Sequence, residues 1–376
     1  MSEKRIWPKR VVVLSDGIRG HKHQSLGIAR WLERLCEVNI REVEVPRLHG
    51  LKRFCQLKLA ARSLGNASPE GAQSWLKAAG FSVEDHADIS SYGAETLFIS
   101  TGSSAAPFCL ALARALNGRS AVVMTPSVLG TQPFDFAIVP EHDHPAPAEN
   151  LLTTLGAPNH IYQPELQAVG EKLFAPMMPF PSKVVVLLLG GGDANYELTP
   201  AWVHGVLSPL REAAEKQGAV LLVTTSRRTG KEADNAVESV LEGSPAVRYL
   251  LLASRSTENP IPAMLSVATH VLVTEDSVSM VSEAATAGFH VGLLRVERKR
   301  GPMVKIRNIL GGGTARFDAL FETMGTRGLV EDLGGTPDFD SFLASTERRT
   351  DVPFNEAKRA AEWIMKLSQR NEPAAF

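Results

Sequence analysis

One loop near the start of the sequence carries residues that suit acid–base chemistry. Asp16 and His21 lie between an apolar strand pattern, Arg10 to Leu14, and a helix pattern that begins at His21. Histidine titrates near neutral pH, so His21, helped by Asp16, is a candidate base for an attacking hydroxyl group. A histidine that only caps the helix is the alternative. The neighbouring residues that we expect to contact a substrate are Gly17, Gly20 and Gln24.

The stretch Thr269 to Gly288 joins a buried strand pattern to a helix start rich in hydroxyl groups. The free N–H groups and positive end of such a helix bind anions such as phosphate, which makes Ser277 and Ser279 candidate ligands. Glu283 follows about one and a half turns later, within reach of whatever the anion is attached to. The alternative is an ordinary strand–helix unit that needs only a capped helix.

Two other loops follow strand patterns in the second half of the chain. Gly190-Gly-Gly-Asp-Ala-Asn195 fails the G-x-G-x-x-G pattern, because Asn195 stands where the third glycine belongs. Gly191, Gly192 and Asn195 are candidate nucleotide ligands. The two glycines either let a nucleotide or sugar approach the backbone or form a tight turn. In the loop after the next strand, Ser226 and Arg227 or Arg228 could bind a pyrophosphate; a solvated loop is the alternative.

Three weaker candidates complete the survey. Ser103 lies at a hydroxyl-rich helix start, Ser100 to Ser104, and is a possible substrate ligand. Glu141-His-Asp-His144 contains good metal ligands, but it has no helical or finger spacing, so we predict no metal site. A basic segment follows the last full strand pattern, where a solvated face is the alternative to a ligand site. Its cations are Arg295, Arg298, Lys299, Arg300, Lys305 and Arg307.

Composition fits a soluble globular protein. Apolar residues make up 44% and charged residues 22% of 376 residues, and the net charge of −1 argues against bulk nucleic-acid binding. The three cysteines show no metal or redox spacing and fit a reducing compartment. We find no signal peptide and no membrane span, so we expect a cytoplasmic protein. The basic amphipathic segment Leu48 to Ser63 would allow peripheral contact with the inner membrane.

Strand and helix patterns alternate along the chain, which predicts an α/β fold with parallel sheets. The prolines between residues 164 and 183 indicate a linker, so we predict Rossmann-like domains at 1–170 and 171–354. A final helix over 355–369 would pack back on the first domain. Ligands bind beyond the carboxyl ends of parallel strands, so we expect the polar loops to line a cleft between the domains.

Three motifs together resemble the mitochondrial fission Elm-type family, whose bacterial branch is thought to contain glycosyltransferases. They are Asp16-Gly-x-x-Gly-His-x-x-Gln24, Leu189-Gly-Gly-Gly-Asp193 and Thr274-Glu-Asp-Ser-x-Ser-Met-x-Ser-Glu283. The resemblance covers roughly residues 10 to 310. It implies a GT-B-like architecture with the acceptor on the first domain and a nucleotide-sugar donor mainly on the second.

The leading hypothesis is therefore a metal-independent glycosyltransferase that moves a sugar from a nucleotide-sugar to a hydroxyl acceptor in cell-envelope glycan assembly. His21 and Asp16 supply the base, Ser277 and Ser279 hold the diphosphate, and Glu283 holds the ribose. The nucleotide-sugar is a co-substrate, no cofactor is expected, and the acceptor could be lipid-linked. The alternatives are a nucleotide-sugar epimerase on the same fold and a non-catalytic membrane-surface adaptor resembling the organelle-fission branch.

Overall fold

The computed structural model describes residues 7–46, 59, 61–301 and 313–370. The chain forms two compact units: unit 1 contains residues 1–160 and 355–376, and unit 2 contains residues 161–354. The predicted boundary at residue 170 lies inside a helix of unit 2. Within the described residues, no helix is both long and apolar enough to cross a bilayer.

Unit 1 is built on a six-stranded parallel sheet with the order β2-β1-β3-β4-β5-β6. Its apolar, β-branched central strands are buried on both faces, as a parallel sheet covered by helices requires. The strands are β1 (Arg10–Ser15), β2 (Asn39–Glu44), β3 (Thr96–Thr101), β4 (Arg119–Val123), β5 (Phe136–Pro140) and β6 (Leu151–Thr154).

Helices cover both faces of the unit 1 sheet. They are α1 (Arg19–Leu35), α2 (Pro69–Ala79), α3 (Ala87–Ser90) and α4 (Gly102–Ala115), with short 3₁₀ helices at Ala61–Asn66 and Glu141–Asp143. The C-terminal helix Glu356–Arg370 belongs to this unit and contributes Ala360 and Ile364 to the core that contains Ile28 and Leu32 of α1. Leu35, the last residue of α1, is 37% exposed.

Unit 2 is built on a second six-stranded parallel sheet, with the order β10-β9-β7-β11-β12-β14. This is the strand order of the Rossmann fold. Its strands are β7 (Val184–Leu188), β9 (Val220–Thr224), β10 (Val247–Leu251), β11 (His270–Thr274), β12 (Val291–Leu294) and β14 (Val330–Asp332). The short strands β8 (Tyr196–Glu197) and β13 (Glu297–Arg298) pair with each other outside the sheet.

The helices of unit 2 include one where the sequence predicted a linker. Helix α5 spans Gln163–Phe174, and Pro164 lies in its first turn, where a missing N–H is harmless. The linker prediction for residues 164–183 is therefore wrong over this helix. The other helices are α6 (Pro200–Lys216), α7 (Lys231–Leu241), α8 (Ile261–Val267), α9 (Val278–Thr286), α10 (Ala315–Thr326) and α11 (Phe339–Phe342).

Each sheet has one place where successive connections leave in opposite directions. In unit 1 this switch point lies between β1 and β3, and in unit 2 it lies between β7 and β11. Ligands of open α/β sheets bind beyond the carboxyl ends of the strands at such points. The predicted α/β fold with two tandem Rossmann-like units is confirmed, and four of the predicted loops follow switch-point strands.

Gly191 tests how tightly the unit 2 switch point is packed. A Cβ atom at Gly191 would lie 2.1 Å from the backbone carbon of Arg228, which cannot move without its loop. We expect Gly191→Ala to lower the free energy of unfolding by about 1–3 kcal/mol. In the exposed interior of α6, a Cβ at Gly205 would meet nothing within 4 Å. Gly205→Ala should therefore raise stability by about 1 kcal/mol. Urea unfolding of both variants measures this, and equal stabilities would contradict it.

Candidate functional site

The glycine loop after β7 is held between the loops that follow β9 and β11. The Gly190 N–H donates to Thr274 Oγ1 at 2.7 Å, and the Gly191 N–H donates to Asp276 Oδ2 at 2.7 Å. The Gly192 N–H donates to the Arg228 carbonyl at 3.0 Å. These three bonds bring the switch-point loops of unit 2 together in one place.

Close packing between loops explains two of the three glycines. A Cβ at Gly190 would lie 2.1 Å from Asp276 Oδ2, and a Cβ at Gly191 would strike the Arg228 backbone. At Gly192 the nearest atom, the Tyr196 carbonyl oxygen, would be 3.8 Å away, an ordinary contact, so only this glycine could carry a Cβ without a clash. Asn195 is buried in the turn, where its N–H donates to Asp193 Oδ1 at 2.6 Å. Packing against the neighbouring loops therefore accounts for Gly190 and Gly191.

Asp276 joins all three loops, a role that the sequence did not reveal. Its side chain is fully buried, and Oδ2 accepts from the Gly191 N–H and from Arg228 Nη2 at 3.3 Å. Burial raises the pKa of Asp276 to about 6, against the opposing effects of the Gly191 hydrogen bond and the Arg228 charge. The two glycine contacts and the guanidinium fix the position of this carboxylate, which fixes the start of α9.

The β9 loop distinguishes the two arginines that the sequence left equivalent. Ser226 Oγ accepts from the Arg228 N–H at 3.2 Å, so this hydroxyl shapes the turn. Arg228 reaches Asp276, whereas Arg227 is exposed and makes no hydrogen bond or ion pair with any described residue. Arg227 is therefore the arginine of this loop that has no carboxylate partner among the described residues.

Helix α9 begins with an N-terminus that its own residues leave uncapped. Ser277 occupies the N-cap position without a side-chain cap bond, and the first turn contains no acidic residue. Because an N-cap serine ordinarily satisfies one of the orphan N–H groups, this end keeps its donors for another acceptor. Ser279 lies half-buried in the first turn, and Glu283 lies buried in the next. Burial raises the pKa of Glu283 to about 7.

The predicted basic segment after β12 is largely neutralised by carboxylates. Arg295 pairs with buried Glu275 at 2.7 Å and with Asp332 at 2.7 Å, while Arg298 pairs with Asp318. The Lys299 ammonium donates to the Asp193 carbonyl, and Arg300 is exposed. The first two arginines therefore hold the β12 loop to β11 and α10. The last two predicted cations, Lys305 and Arg307, lie outside the described residues.

At the unit 1 switch point the structure brings Asp16 and His21 into contact. Asp16 Oδ2 lies 3.0 Å from His21 Nδ1, and Asp16 Oδ1 accepts from the Ile18 N–H at 3.1 Å. Burial alone would raise the pKa of Asp16, but the hydrogen bonds from His21 and Ile18 hold it below its usual value. Asp16 is therefore ionised and only accepts, so Nδ1 carries the hydrogen. In the neutral ring, Nε2 is then a lone-pair acceptor.

The imidazole of His21 lies on the backbone at the start of α4. A Cβ at Gly102 would be 2.7 Å from His21 Cε1, and Gly102 has a φ of +79°, so only glycine fits beneath the ring. The hydroxyl groups of Ser25 in α1 and Thr101 at the end of β3 are hydrogen bonded to each other at 2.7 Å. These contacts join the β1 and β3 loops and hold His21 in place.

The other predicted unit 1 residues have different environments. Gly20 has open space around its Cα, and Gly17 turns the chain with a φ of +79°. Gln24 is buried within α1. Ser103 Oγ accepts from the Ser127 N–H at 2.8 Å, so its lone pair is partly used by the protein. Ligand contact by any of these residues stays a prediction.

Comparison with known proteins shows the family of this chain. The sequence matches the family described as mitochondrial fission ELM1 over residues 19–367. The chain belongs to this family. A search among curated proteins finds no match.

Several solved structures are similar at low identity. MurG of Acinetobacter baumannii has 14% identity and a TM-score of 0.46, and the match covers 96% of this chain and 100% of that one. The UDP-GlcNAc 2-epimerase of Neisseria meningitidis, bound to UDP-GlcNAc, has 11% identity and a TM-score of 0.48, with coverages of 96% and 99%. The Methanocaldococcus jannaschii epimerase, in complex with UDP-GlcNAc and UDP, has 12% identity and a TM-score of 0.49, with coverages of 96% and 99%.

The buried Glu283 predicts a pH dependence of stability. Its pKa in the folded chain, about 7, is above the ordinary 4.5, so the folded state holds a proton that the unfolded state loses. The free energy of unfolding should fall as pH rises from 4.5 through 7. The shift corresponds to at most about 3 kcal/mol. Burial also raises the pKa of Asp276, to about 6, so part of the decline belongs to that carboxylate. Urea unfolding of Glu283→Gln should therefore show a smaller decline than the exposed control Glu197→Gln, which should match the wild type. An identical decline in both variants would contradict the prediction.

Proposed function

We propose that this protein is a metal-independent, GT-B-like glycosyltransferase that uses a nucleotide-sugar as co-substrate and no other cofactor. It acts in the cytoplasm, at the inner membrane, in cell-envelope glycan assembly. Unit 2 binds the donor and unit 1 binds a hydroxyl acceptor. The predicted cleft stays a prediction. One observation carries the proposal: an ionised aspartate orients His21 at the switch point of unit 1.

The donor diphosphate is assigned to the N-terminus of α9. Its uncapped N–H groups and the hydroxyls of Ser277 and Ser279 supply donors, and no acid of the first turn opposes a phosphate. Arg227, exposed and without a carboxylate partner, supplies positive charge from the β9 loop. Fixed dipoles and a guanidinium stabilise a leaving diphosphate without a metal. Gly192, where a Cβ would meet no atom closer than 3.8 Å, is assigned to donor contact, and Glu283 is assigned to the ribose.

The chemical step uses the His21–Asp16 pair as a general base. His21 Nε2 takes the proton of the acceptor hydroxyl as that oxygen bonds to the anomeric carbon. The bond from the anomeric carbon to the diphosphate oxygen breaks, and the nucleoside diphosphate leaves with the electron pair. Asp16 stabilises the imidazolium that forms and keeps the ring in the correct tautomer, as an aspartate does in a catalytic triad.

The Ser277→Ala variant separates ligand binding from helix capping. Ser277 makes no cap bond, so Ser277→Ala should leave stability unchanged. It should weaken nucleoside diphosphate binding about tenfold, because a hydrogen bond to a charged group is lost. Thr199→Ala is the matched control: Thr199 Oγ1 caps α6 by accepting from the Trp202 N–H at 3.1 Å. This control should lose about 1 kcal/mol of stability and keep binding.

Calorimetry with nucleoside diphosphates and their sugars measures the binding, and thermal unfolding measures stability. UDP-GlcNAc, the ligand in two of the similar structures, is the first donor to test. If no nucleoside diphosphate or nucleotide-sugar binds the wild-type chain, the donor-site assignment fails. If Ser277→Ala binds as well as the wild type, the assignment of α9 fails.

The second prediction concerns the base. His21→Asn should lower transfer at least about a hundredfold, the range expected for loss of a general base, and leave donor binding unchanged. Labelled UDP-GlcNAc with a membrane lipid extract as acceptor gives the assay. The exposed His204 of α6 provides the control His204→Asn, which should retain full transfer.

Product analysis separates the two alternatives from transfer. An epimerase would convert the nucleotide-sugar with no acceptor present, whereas a transferase would leave it intact until an acceptor is added. An adaptor would keep full cellular function in the His21→Asn strain. Either outcome would contradict the glycosyltransferase proposal.

A further inference from the structure

A cavity lies on unit 1, lined by residues other than those assigned above. Its volume is about 520 Å³, and it lies between the 3₁₀ helix Ala61–Asn66, the end of α4 and the loop from β4 to β5. The side chains that matter for its chemistry are Arg62, Arg114, Leu129 and Asp135. We call this the arginine cavity.

The arginine cavity offers positive charge that the protein uses only in part. Arg62 is exposed and makes no hydrogen bond or ion pair with a described residue. Arg114 donates from Nη2 to the Pro133 carbonyl at 3.1 Å, while its buried Nε has no partner. Asp135 Oδ2 accepts from the N–H and the hydroxyl of Ser120, each at 2.8 Å. The cavity is therefore lined by two guanidinium groups and by one carboxylate, which Ser120 of β4 holds.

Next to Leu129 the same loop holds an apolar side chain outwards at an energetic cost. Val128 has a φ of +81° and is 41% exposed. A β-branched residue in this region is strained by about 1–3 kcal/mol. Met124 in the same loop also has a positive φ of 69°, and Ser103 fixes Ser127 by a hydrogen bond. The loop is thus built to present Val128 to something outside unit 1.

The chain segment before the 3₁₀ helix Ala61–Asn66 also combines positive charge with an exposed apolar side chain. Leu59, two residues before the 3₁₀ helix, is 57% exposed. The sequence from Leu48 to Ser63 contains Lys52, Arg53, Lys58 and Arg62 and no acidic residue. Residues 47–58 and 60 lie outside the described residues, so the predicted amphipathic face of this segment stays a prediction.

We propose that this surface of unit 1 docks on an anionic lipid bilayer. The arginine cavity takes a phosphate headgroup through Arg62 and Arg114, and Val128 and Leu59 enter the boundary between headgroups and acyl chains. Cations draw a protein to anionic lipid, and exposed apolar side chains deepen the contact. A soluble anion would use the arginines but gives no reason for a strained, outward Val128. This inference rests on the membrane location in the proposed function but not on glycosyl transfer, so a failure of vesicle binding would leave the donor-site assignment intact.

Flotation of the full chain with lipid vesicles tests the charge. The wild type should float with vesicles of equal parts phosphatidylcholine and phosphatidylglycerol, and not with phosphatidylcholine alone. Arg62→Gln should weaken binding about fivefold, the effect of one cation near the surface. Arg327 is exposed at the end of α10 in unit 2, and Arg327→Gln is the matched control, which should bind like the wild type. Equal binding of both variants would overturn the proposal.

Val128→Asn tests the apolar contact without the risk of unfolding. Asparagine tolerates a positive φ, so this variant should unfold at the wild-type temperature or above it. Its vesicle binding should nevertheless fall about fivefold, because an apolar anchor is lost. The control Val169→Asn removes a valine of α5 that is 42% exposed, and it should leave vesicle binding unchanged. Wild-type binding by Val128→Asn, or flotation that requires a protein partner, would overturn the proposal.

Discussion

The hydrogen bond from the Gly191 N–H to the buried Asp276 carboxylate fixes the geometry of the unit 2 switch point. Burial keeps the ionised carboxylate unfavourable by about 3 kcal/mol, the equivalent of its raised pKa, even after Arg228 and the glycine N–H have offset part of the cost. The contact is therefore better explained by positioning than by stability. It determines where α9 begins, which in turn fixes the direction of the uncapped helix end.

Unit 1 also has an aspartate beside its switch point, but Asp16 has a different role from Asp276. Asp16 also follows a switch-point strand, but hydrogen bonds lower its pKa, and its second oxygen faces a ring that is partly exposed. In unit 2 the acid holds loops together, whereas in unit 1 it orients an imidazole. The two switch points thus carry an uncapped helix end in one unit and an oriented imidazole in the other.

The sequence predicted what depends on local patterns and missed what depends on distant partners. Buried strands such as Val184–Leu188 follow from apolar runs, and the start of α9 follows from its hydroxyl residues. Helix α5 was missed because Pro164 was taken as a sign of a linker. The choice between Arg227 and Arg228 could not be made, since it depends on Asp276, which follows 48 residues after Arg228. Arg295 was taken as a free cation because its partner Asp332 lies 37 residues away.

Membership of the mitochondrial fission ELM1 family does not by itself decide between an enzyme and an adaptor, since one fold supports both. The local chemistry is what supports our proposal of an enzyme. A surface that only recruits partners gains nothing from an ionised acid that orients a histidine over a glycine with a φ of +79°. Nor does it need a helix whose N-cap serine leaves its cap bond unmade. Both features leave groups available to a ligand where an inert fold would have satisfied them internally, and this favours catalysis.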